Sequence, residues 1–414
     1  MVNRRVVITG LGTISALGRG LDTLWEACLK GQTGIGTIER FDPSEYKSTL
    51  GAEVDLDFDG SDRVDPKLMK RADPFVRYAC WACDVAVEQA ELTIDDSNRE
   101  RVGVLIGSGI GGMTTWEEQF TRLIKRGPNR VSPFLIPMMI IDMASGMVSM
   151  ITGAMGPNSA VVTACASGAN AIAASVDLIK LGRADVMITG GAEAGISQSA
   201  LSGFCSAGAL STRNDDPEHS CRPFDKNRDG FVMGDGATCV LIEDLQHALD
   251  RGAPIIAEIA GVGLSGDAHH FTEPSPDGSG AILAMRNALD DAALTIDDVD
   301  YINAHGPGTP AGDGAEAIAL KGLLGEQVGD IPVSSTKPVH GHMLGATGPT
   351  ELALCIKAIH EGIIPHTLNC DDPEYPELDL VRGEPRQADV RVAMSNSFGF
   401  GGHNVALIVS KFEE

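Results

Sequence analysis

The sequence has no apolar run long enough to cross a lipid bilayer. A spanning helix needs about 20 consecutive apolar residues, whereas the 414-residue chain, although 43% hydrophobic, carries its apolar residues in shorter stretches. Its first residues, MVNRRVVITGLG, also lack the apolar core and the cleavage site of a secretory signal peptide. We therefore expect a cytoplasmic protein without a membrane partner.

Positive charge is scarce as well. The chain has 32 Lys and Arg residues against 57 Asp and Glu residues, which gives a formal net charge of −25. Because such a chain repels phosphate groups, nucleic acid is excluded as its main partner. The basic residues nevertheless form two local groups, one in what we predict to be a single helix and one around a Gly-Pro turn. They are Lys67, Lys70, Arg71 and Arg77, and Lys125, Arg126 and Arg130.

A disulfide framework is not indicated. The nine cysteines are scattered, odd in number and mostly in apolar surroundings, as expected in a reducing compartment. Cys80 and Cys83 form a C-x-x-C pair, but no second pair follows that would complete a four-cysteine zinc site. Since both lie in an apparently helical run, we expect them to pack in the core.

Linkers rich in Gly, Ser or Pro are also absent. Strand-like runs alternate with helix-like runs along the whole chain, with helices near 278–293, 312–325 and 348–361 in its second part. This alternation predicts an α/β protein whose parallel or mixed sheets are covered on both faces. Because no linker separates them, two similar halves, 1–253 and 254–414, are expected to form one compact body.

The segment around Cys165 is the most informative single stretch. Val161 and Val162 predict the end of a buried strand, and the proline-free run 169–179 predicts a helix. Cys165 is therefore expected at a sharp turn before a helix N-terminus, where free N–H groups and the helix dipole favour a thiolate. The very small side chains that begin this helix place it in the centre of the molecule.

Two short motifs are set aside. The run 107–112 satisfies G-x-G-x-x-G, but the strand and the acidic residue that a dinucleotide site also needs do not follow. The run 225–230, D-x-N-x-D-G, begins like a calcium-binding EF-hand loop, but Gly236 stands where a bidentate Glu is required. Tight turns are the better interpretation of both.

Three polar segments, 303–309, 335–342 and 396–404, end predicted strands in the second half. In α/β folds, side chains at such strand ends converge from distant parts of the sequence. A cysteine joined there by His305 and His342 indicates a sulfur nucleophile with imidazole hydrogen-bond donors. The same three ligand types, Cys165, His305 and His342, would also suit a zinc ion, so a metalloenzyme stays open as an alternative.

Four motifs occur in a fixed order along the chain: TACASG around Cys165, NAHGxxTxxGDxAE from Asn303, SSTKxxxGHxLGAxGxxE from Ser334 and NSFGFGGxN from Asn396. Together they resemble the β-ketoacyl-acyl carrier protein synthases, and most closely the synthase II type of dissociated fatty acid synthesis. The resemblance runs from VVITGLG to the closing strands. It implies an α/β thiolase-like fold, a five-layered αβαβα body built from two duplicated halves, and a homodimer.

The resemblance also implies a reaction, a decarboxylating Claisen condensation that extends an acyl chain by two carbons. Cys165 would hold the acyl group as a thioester, with the backbone N–H groups of Cys165 and Phe400 as the oxyanion hole. His305 and His342 would donate hydrogen bonds to the malonyl thioester carbonyl as CO2 leaves. The carbanion would then attack the acyl group and give a 3-oxoacyl product on the carrier protein.

Further residues receive roles from the same resemblance. Lys337 and Glu351 would form a buried pair that orders the site, and Phe400 would gate access to Cys165. Ile110 would line the far end of the acyl pocket. No cofactor is required, because both substrates are carried on the phosphopantetheine arm of acyl carrier protein.

The sequence departs from the family pattern at the tunnel and the gate. Pro307 stands where a threonine usually bonds the pantetheine arm, although Thr309 remains available to it, and His403 replaces another common threonine. The carrier protein, which is acidic, would dock on basic residues of the two groups described above. They are Lys67, Lys70, Arg71, Arg126 and Arg130.

Two related alternatives remain at this point. One is a specialised-lipid or polyketide-type ketosynthase with the same chemistry, and the other is a non-catalytic partner subunit that sets chain length. Such subunits typically lack the nucleophilic cysteine, so Cys165 argues against the second. A thiolase is disfavoured, because NSFGFGGHN lacks the second cysteine that those enzymes need.

Overall fold

One large mixed sheet runs through the molecule in the computed structural model, which describes residues 4–413. The strands, in chain order, are β1 Val6–Ser15, β2 Gly18–Arg19, β3 Gly36–Thr37, β4 Leu50–Gly51, β5 Val102–Gly107, β6 Asn158–Val161, β7 Val186–Glu193, β8 Gly236–Asp244, β9 Ala257–Gly266, β10 Tyr301–Asn303, β11 Val333–Ser334, β12 Ile363–Ile364, β13 Arg386–Gln387, β14 Val392–Gly399 and β15 His403–Ser410.

Helices cover the sheet. They are α1 Leu21–Lys30, α2 Pro66–Met69, α3 Pro74–Gln89, α4 Met113–Arg126, α5 Leu135–Met139, α6 Met143–Thr152, α7 Ser167–Lys180, α8 Gln198–Ser206, α9 Leu245–Asp250, α10 Ser279–Ala292, α11 Pro310–Leu324, α12 Lys337–His340 and α13 Thr347–Glu361. Within residues 4–413, none of the helices is both long enough and apolar enough to span a membrane.

The two parts of the sheet repeat one strand order. The first reads β6-β5-β7-β8-β1 and the second β11-β10-β14-β15-β9, with parallel pairs at corresponding places and antiparallel pairs at the others. β1 and β9 also pair with each other, so the two parts join edge to edge. The prediction of a thiolase-like fold from two duplicated halves is confirmed.

Five layers result from this arrangement. The helices α7 and α13 lie side by side between the two parts of the sheet, and their apolar side chains form a central core with β8, β14 and β15. A second core lies under α3 and α6 on one outer face, and a third under α10 and α11 on the other. The small side chains of α7 are almost all buried there, which confirms its central position.

Glycines in β1 and β9 show the duplication at atomic detail. A Cβ atom on Gly10 or Gly12 would lie 2.0 Å from a carbonyl oxygen of α3. In the second half, a Cβ on Gly261 or Gly263 would lie 2.3 or 2.0 Å from a carbonyl oxygen of α10. Such distances are far below contact, so the helix can pack on the strand only because both positions lack a side chain.

The expectation that one helix carries the first basic group is wrong. This group consists of Lys67, Lys70, Arg71 and Arg77. The short helix α2 ends at Met69, and α3 begins only at Pro74 with Asp73 as its N-cap. Proline cannot continue a helix from the preceding residues, so the chain turns between the two. Cys80 and Cys83, in contrast, lie fully buried in α3, as the sequence predicts.

Candidate active site

A cavity of about 500 Å³ opens where four strands end. Segments after β5 and β6 reach it from the first half, and segments after β10 and β14 from the second. Cys165, His305, His342 and Phe400 all line it. The structure therefore brings together residues that lie up to 235 positions apart in the sequence.

Cys165 lies in a 3-10 turn, Ala164–Ala166, between β6 and α7. Ala164 has a φ of 51°, a left-handed conformation that a residue with a side chain adopts at some cost, and the sharp turn presents the half-buried thiol to the cavity. Ser167 closes the turn, because its hydroxyl accepts from the N–H of Thr163 at 2.9 Å and donates to the carbonyl of Ala164 at 2.7 Å.

The expectation of a thiolate at Cys165 is wrong. Burial raises the pKa of Cys165 to about 11, and this outweighs the Phe400 N–H and the charge of Lys337, which lower it. Burial dominates because the surrounding cavity is apolar and α7 begins only at Ser167. Cys165 is therefore a thiol at neutral pH.

Two backbone N–H groups act on the sulfur of Cys165. The N–H groups of Phe400 and of Cys165 itself both lower the pKa of the thiol. The end of β14 packs closely on the turn, since a Cβ on Gly399 would lie 2.5 Å from the carbonyl of Thr163. The oxyanion hole that the resemblance implies at these two N–H groups remains a prediction.

His305 and His342 face each other across the cavity, with ring centroids 5.3 Å apart and planes at 80°. Burial lowers the pKa of both imidazoles well below the usual value, and the neighbouring charge of Lys337 lowers it further. Nδ1 of His342 bonds the hydroxyl of Thr347 at 3.0 Å, whereas Nδ1 of His305 is buried without a protein partner. Both rings are thus neutral hydrogen-bonding groups at pH 7.

Lys337 and Glu351 form the buried pair that the sequence predicts. Nζ of Lys337 donates to Oε1 of Glu351 at 2.6 Å, and both side chains are fully buried. The same Nζ also donates to the backbone carbonyl of His305. Burial raises the pKa of Glu351 to about 7, although Lys337 lowers it. The Lys337–Glu351 pair therefore fixes the backbone of His305, whose imidazole lines the cavity.

Two acidic residues that the sequence analysis did not identify anchor the His305 loop. Glu316 accepts the backbone N–H of His305 at 2.8 Å and of Gly306 at 2.7 Å. Asp313 accepts the N–H of Gly308 at 3.0 Å. Both lie on the buried face of α11. They are the D and the final E of the motif NAHGxxTxxGDxAE, and this motif was the signal in the sequence that could have identified them.

Phe400 lies at the cavity mouth with about a third of its surface exposed. Gly401 and Gly402 follow it with φ of 85° and 72°, and the N–H of Gly401 donates to the carbonyl of Phe271 at 2.9 Å. The loop that contains Phe271 therefore contacts the segment that follows Phe400. His403, the departure from the family pattern, is exposed at the start of β15.

The remaining predicted pocket residues also line the cavity. Ile110 packs beside Cys165 in one apolar cluster. Pro307 and Thr309 follow His305 in the chain and line the same cavity. The hydroxyl of Thr309 accepts the N–H of Gly312 at 3.2 Å as the N-cap of α11. Its own proton stays available for a bond to a ligand in the tunnel.

The five predicted docking residues are all exposed. They are Lys67, Lys70, Arg71, Arg126 and Arg130. The guanidinium of Arg71 lies 4.9 Å from the ring centroid of Phe134, so the segment between α2 and α3 adjoins the segment after Arg130. The two basic groups, distant in sequence, therefore belong to one region of the surface.

The zinc alternative lacks its ligand geometry. Across residues 4–413, no three His, Cys, Asp or Glu side chains are arranged to hold a metal ion together. In the EF-hand-like run, Asp225 instead accepts the backbone N–H groups of Asn227 and Asp372, both at 2.8 Å.

Family models match both parts of the chain. The Beta-ketoacyl synthase, N-terminal domain, covers residues 3–248, and the Beta-ketoacyl synthase, C-terminal domain, covers residues 256–371. The chain is 49% identical to a 3-oxoacyl-[acyl-carrier-protein] synthase 2 of Staphylococcus aureus (strain N315) over 413 residues, which is 99% of each sequence.

Solved structures agree with this. A Beta-ketoacyl synthase from Burkholderia phymatum STM815 superposes with a TM-score of 0.92 at 35% identity, over 99% of this chain and 100% of the other. A type II PKS acyl-carrier protein in complex with its ketosynthase bound to the hexaketide gives a TM-score of 0.91 at 29% identity, over 99% and 100%.

Proposed function

The chain belongs to the β-ketoacyl synthase family, and on that premise we propose how its residues carry out the condensation. The enzyme is an acyltransferase, a 3-oxoacyl-[acyl-carrier-protein] synthase of fatty acid elongation. It joins malonyl-acyl carrier protein to an acyl group and releases CO2. The observation that carries the residue assignment is the convergence of one thiol, two neutral imidazoles and two inward N–H groups in a single cavity.

The first half-reaction is acyl transfer to Cys165. Its sulfur attacks the thioester carbonyl of acyl-carrier protein, and the N–H groups of Cys165 and Phe400 bind the oxyanion that forms. The carbon–sulfur bond to pantetheine then breaks. Because Cys165 begins as a thiol, its proton passes to the leaving pantetheine sulfur, and the enzyme keeps a neutral thioester.

The second half-reaction is condensation. The bond between the malonyl Cα and its carboxylate breaks, CO2 leaves, and the electron pair forms an enolate whose oxygen accepts hydrogen bonds from His305 and His342. Decarboxylation generates the carbanion by itself, so the site needs donors and not a strong base. The carbanion attacks the acyl carbonyl, and the sulfur of Cys165 leaves as a thiolate that takes up a proton from solvent water. No metal or prosthetic group enters these steps.

The carrier protein is the proposed partner. The superposed ketosynthase is solved with its acyl-carrier protein, and here the exposed basic region of Lys67, Lys70, Arg71, Arg126 and Arg130 offers the positive charge that an acidic carrier needs. The arm would then pass Thr309 and Pro307 to reach Cys165. We place this reaction in the cytoplasm.

A homodimer is also part of the proposal. β6 lies at the end of the sheet, and α4, α5, α6 and the segment between α6 and β6 expose large apolar side chains, a pattern typical of an interface. They are Trp116, Phe120, Ile136, Met150 and Met155, with Val162 next to the strand. Sedimentation velocity of the purified chain measures this directly, and a monomer at micromolar concentration would contradict it.

Mass spectrometry tests the assignment of Cys165. Incubation with acyl-carrier protein alone should add one acyl group to the enzyme, and Cys165→Ala should abolish the addition. Cys205→Ala is the matched control, because this cysteine of α8 packs in the same apolar cluster as Ile110 and should not affect acylation. Acylation that survives in Cys165→Ala would disprove the assignment.

Separate assays of the two half-reactions distinguish the role of the histidines from that of the nucleophile. Cys165→Gln should retain malonyl decarboxylation and lose condensation. His305→Ala and His342→Ala should retain some acyl transfer but lose decarboxylation by about 10²–10³-fold each, as is typical when an oxyanion donor is removed. Intact decarboxylation with lost acyl transfer would reverse these roles. A ladder of acyl-carrier substrates then distinguishes fatty acid elongation from a polyketide-type pathway.

A further inference from the structure

Glu193, the last residue of β7, is a buried carboxylate that the reaction above does not use. Five donors converge on its two oxygens. Oε1 accepts from the hydroxyl of Ser108 at 2.8 Å and from the N–H groups of Ile110 and Gly111 at 3.1 and 3.3 Å. Oε2 accepts from the N–H groups of Gly109 and Gly345 at 2.6 and 3.0 Å.

This contact accounts for the G-x-G-x-x-G run 107–112. Successive backbone N–H groups in such a loop form a concave anion-binding nest, which in other proteins receives a phosphate. Here the nest is filled by a carboxylate of the same chain. Glu193 also reaches across to Gly345, so it connects the glycine loop to the segment between His342 and α13.

The two connected segments are walls of one pocket. Ile110 comes from the glycine loop and Leu344 from the segment before Gly345, and both line the cavity and pack in the same apolar cluster as Cys165. The connection is close, because a Cβ on Gly345 would lie 2.7 Å from the N–H nitrogen of Gly109 and 2.9 Å from Oε2 of Glu193. The distance between these walls therefore depends on Glu193.

We propose that Glu193 is a positioning residue that fixes the Ile110 wall against the Leu344 wall, and that it thereby sets the acyl chain length accepted at Cys165. The inference rests on the proposed function, because it takes this part of the cavity as the acyl pocket. Glu193 touches neither the substrate nor the reacting atoms. It acts by holding the two segments that do line the chain.

Glutamine is the informative replacement. It keeps the shape of the side chain, but only one of its two terminal atoms accepts a hydrogen bond. The amide nitrogen must therefore face either the Ser108, Ile110 and Gly111 donors or the Gly109 and Gly345 donors. In either orientation, one of the two segments loses its hydrogen bonds to residue 193, and the pocket wall formed by that segment can then move.

The test compares acyl transfer to Cys165 for carrier-bound chains of four to eighteen carbons. Since one methylene group in a well-fitted pocket changes kcat/KM by about tenfold or more, Glu193→Gln should flatten the dependence on length, raising the longest chains relative to four carbons by about tenfold. Ser108→Ala, which removes one donor, should give a smaller change in the same direction and serves if Glu193→Gln fails to fold.

Glu243→Gln is the matched control. Its carboxylate is also fully buried, but it bonds Thr9, His247 and Arg251, away from the cavity. Glu243→Gln should therefore lower the stability of the protein without changing its chain-length dependence. A length profile of folded Glu193→Gln that stays parallel to that of the wild type would overturn the proposal. If the wild type elongates none of the chains, it is the proposed function that fails.

A second readout reports whether Glu193 carries a charge in the folded chain. The charge of Glu193 raises the pKa of Cys165, in addition to the larger effect of burial. The pH profile of Cys165 alkylation by iodoacetamide, followed by peptide mass, should therefore move to lower pH in Glu193→Gln and stay in place in Glu243→Gln. An unmoved profile in both variants would show that no charge stands at Glu193, against the arrangement of donors described above.

Discussion

At the scale of single residues, the site works by controlling which groups carry charge. Burial keeps Cys165 a thiol and keeps both histidines neutral, while the one cation, Lys337, is matched by Glu351. Neutral imidazoles suit enolate stabilisation, because each can donate a hydrogen bond without bringing a charge that would need its own partner.

The neutrality of the histidines is testable by pH. Their folded-state pKa values lie well below 6.5, so the folded chain takes up fewer protons at these positions than the unfolded chain once the pH falls below 6.5. Stability from this source is present above pH 6.5 and is lost as the pH falls. Nitrogen NMR of histidine-labelled protein should show both rings neutral at pH 6, with His305→Ala and His342→Ala as assignment controls. A midpoint near 6.5 for either ring would contradict this.

At the scale of elements, the decisive segment is the loop between β10 and α11. Ser335 donates to the carbonyl of Gly306 at 2.7 Å, and Glu316 and Asp313 hold the N–H groups on either side of Pro307. The loop is therefore fixed by its neighbours and does not depend on the stiffness of proline alone.

Pro307→Thr should consequently improve substrate binding. A new hydroxyl gives the pantetheine arm one more hydrogen bond, worth about 0.5–1.5 kcal/mol, which corresponds to a KM lowered a few-fold to about tenfold with little change in kcat. Steady-state kinetics with acyl- and malonyl-carrier substrates measures both constants. An unchanged KM with a clearly lower kcat would show that proline serves rigidity and that the arm is held elsewhere.

The two central helices make a second prediction at this scale. A Cβ on Gly168, in the first turn of α7, would lie 2.4 Å from the carbonyl of Gly345 and 2.6 Å from the ring of Pro349. Gly168→Ala should therefore force α7 and α13 apart and lower the free energy of unfolding by about 1–3 kcal/mol. Urea denaturation measures this.

Gly203 in α8 is the control for that measurement. A Cβ there meets nothing within 4 Å, so Gly203→Ala should raise the free energy of unfolding by about 0.5–1 kcal/mol through helix propensity. Equal effects of the two substitutions would mean that the close approach of the central helices carries no energetic weight.

At the scale of the whole molecule, the net charge of −25 and the local basic region act together. In the proposed docking, an acidic carrier protein is repelled by most of the surface and attracted by the basic region, so productive encounters concentrate there. Lys67 and Lys70 lie in that part and are both exposed.

Reversal of both charges should therefore impair docking alone. We expect Lys67→Glu with Lys70→Glu to raise the KM for acyl-carrier protein by about tenfold at low salt and to leave the KM for acyl-pantetheine unchanged. Lys411→Glu, at an exposed lysine near the last strand, is the control. Equal losses with carrier-bound and carrier-free substrates would place the two lysines outside the docking surface.

Much of this architecture was predictable from local patterns. The helices expected near 278–293, 312–325 and 348–361 agree with α10, α11 and α13 to within two residues. Glycine marks one boundary of each, because Gly278 precedes α10, Gly325 follows α11 and Gly362 follows α13. The strand ends that carry Cys165 and the histidines followed from the same patterns.

What the sequence did not reveal depends on contacts across the fold. Most partners of Glu193 and Glu316 are backbone N–H groups, which carry no mark in the sequence and become neighbours only in the assembled fold. The raised pKa of Cys165 follows from burial by β14 and its loop, which lie more than 200 residues later. Local reasoning about the helix dipole therefore gave the wrong direction.

The pairing of β1 has a consequence for synthesis on the ribosome. β1 is made first, but its partners β8 and β9 begin only at Gly236 and Ala257. Only Ile14 and Ser15 pair earlier, with the short strand β2. At synthesis rates of about 5–20 residues per second, the rest of this apolar strand waits roughly 10–50 s for a neighbouring strand. Neither half of the sheet closes in that interval, and a wholly buried strand must be shielded from other nascent chains. The duplicated fold thus leaves most of its first strand unpaired until the middle of the chain has been made.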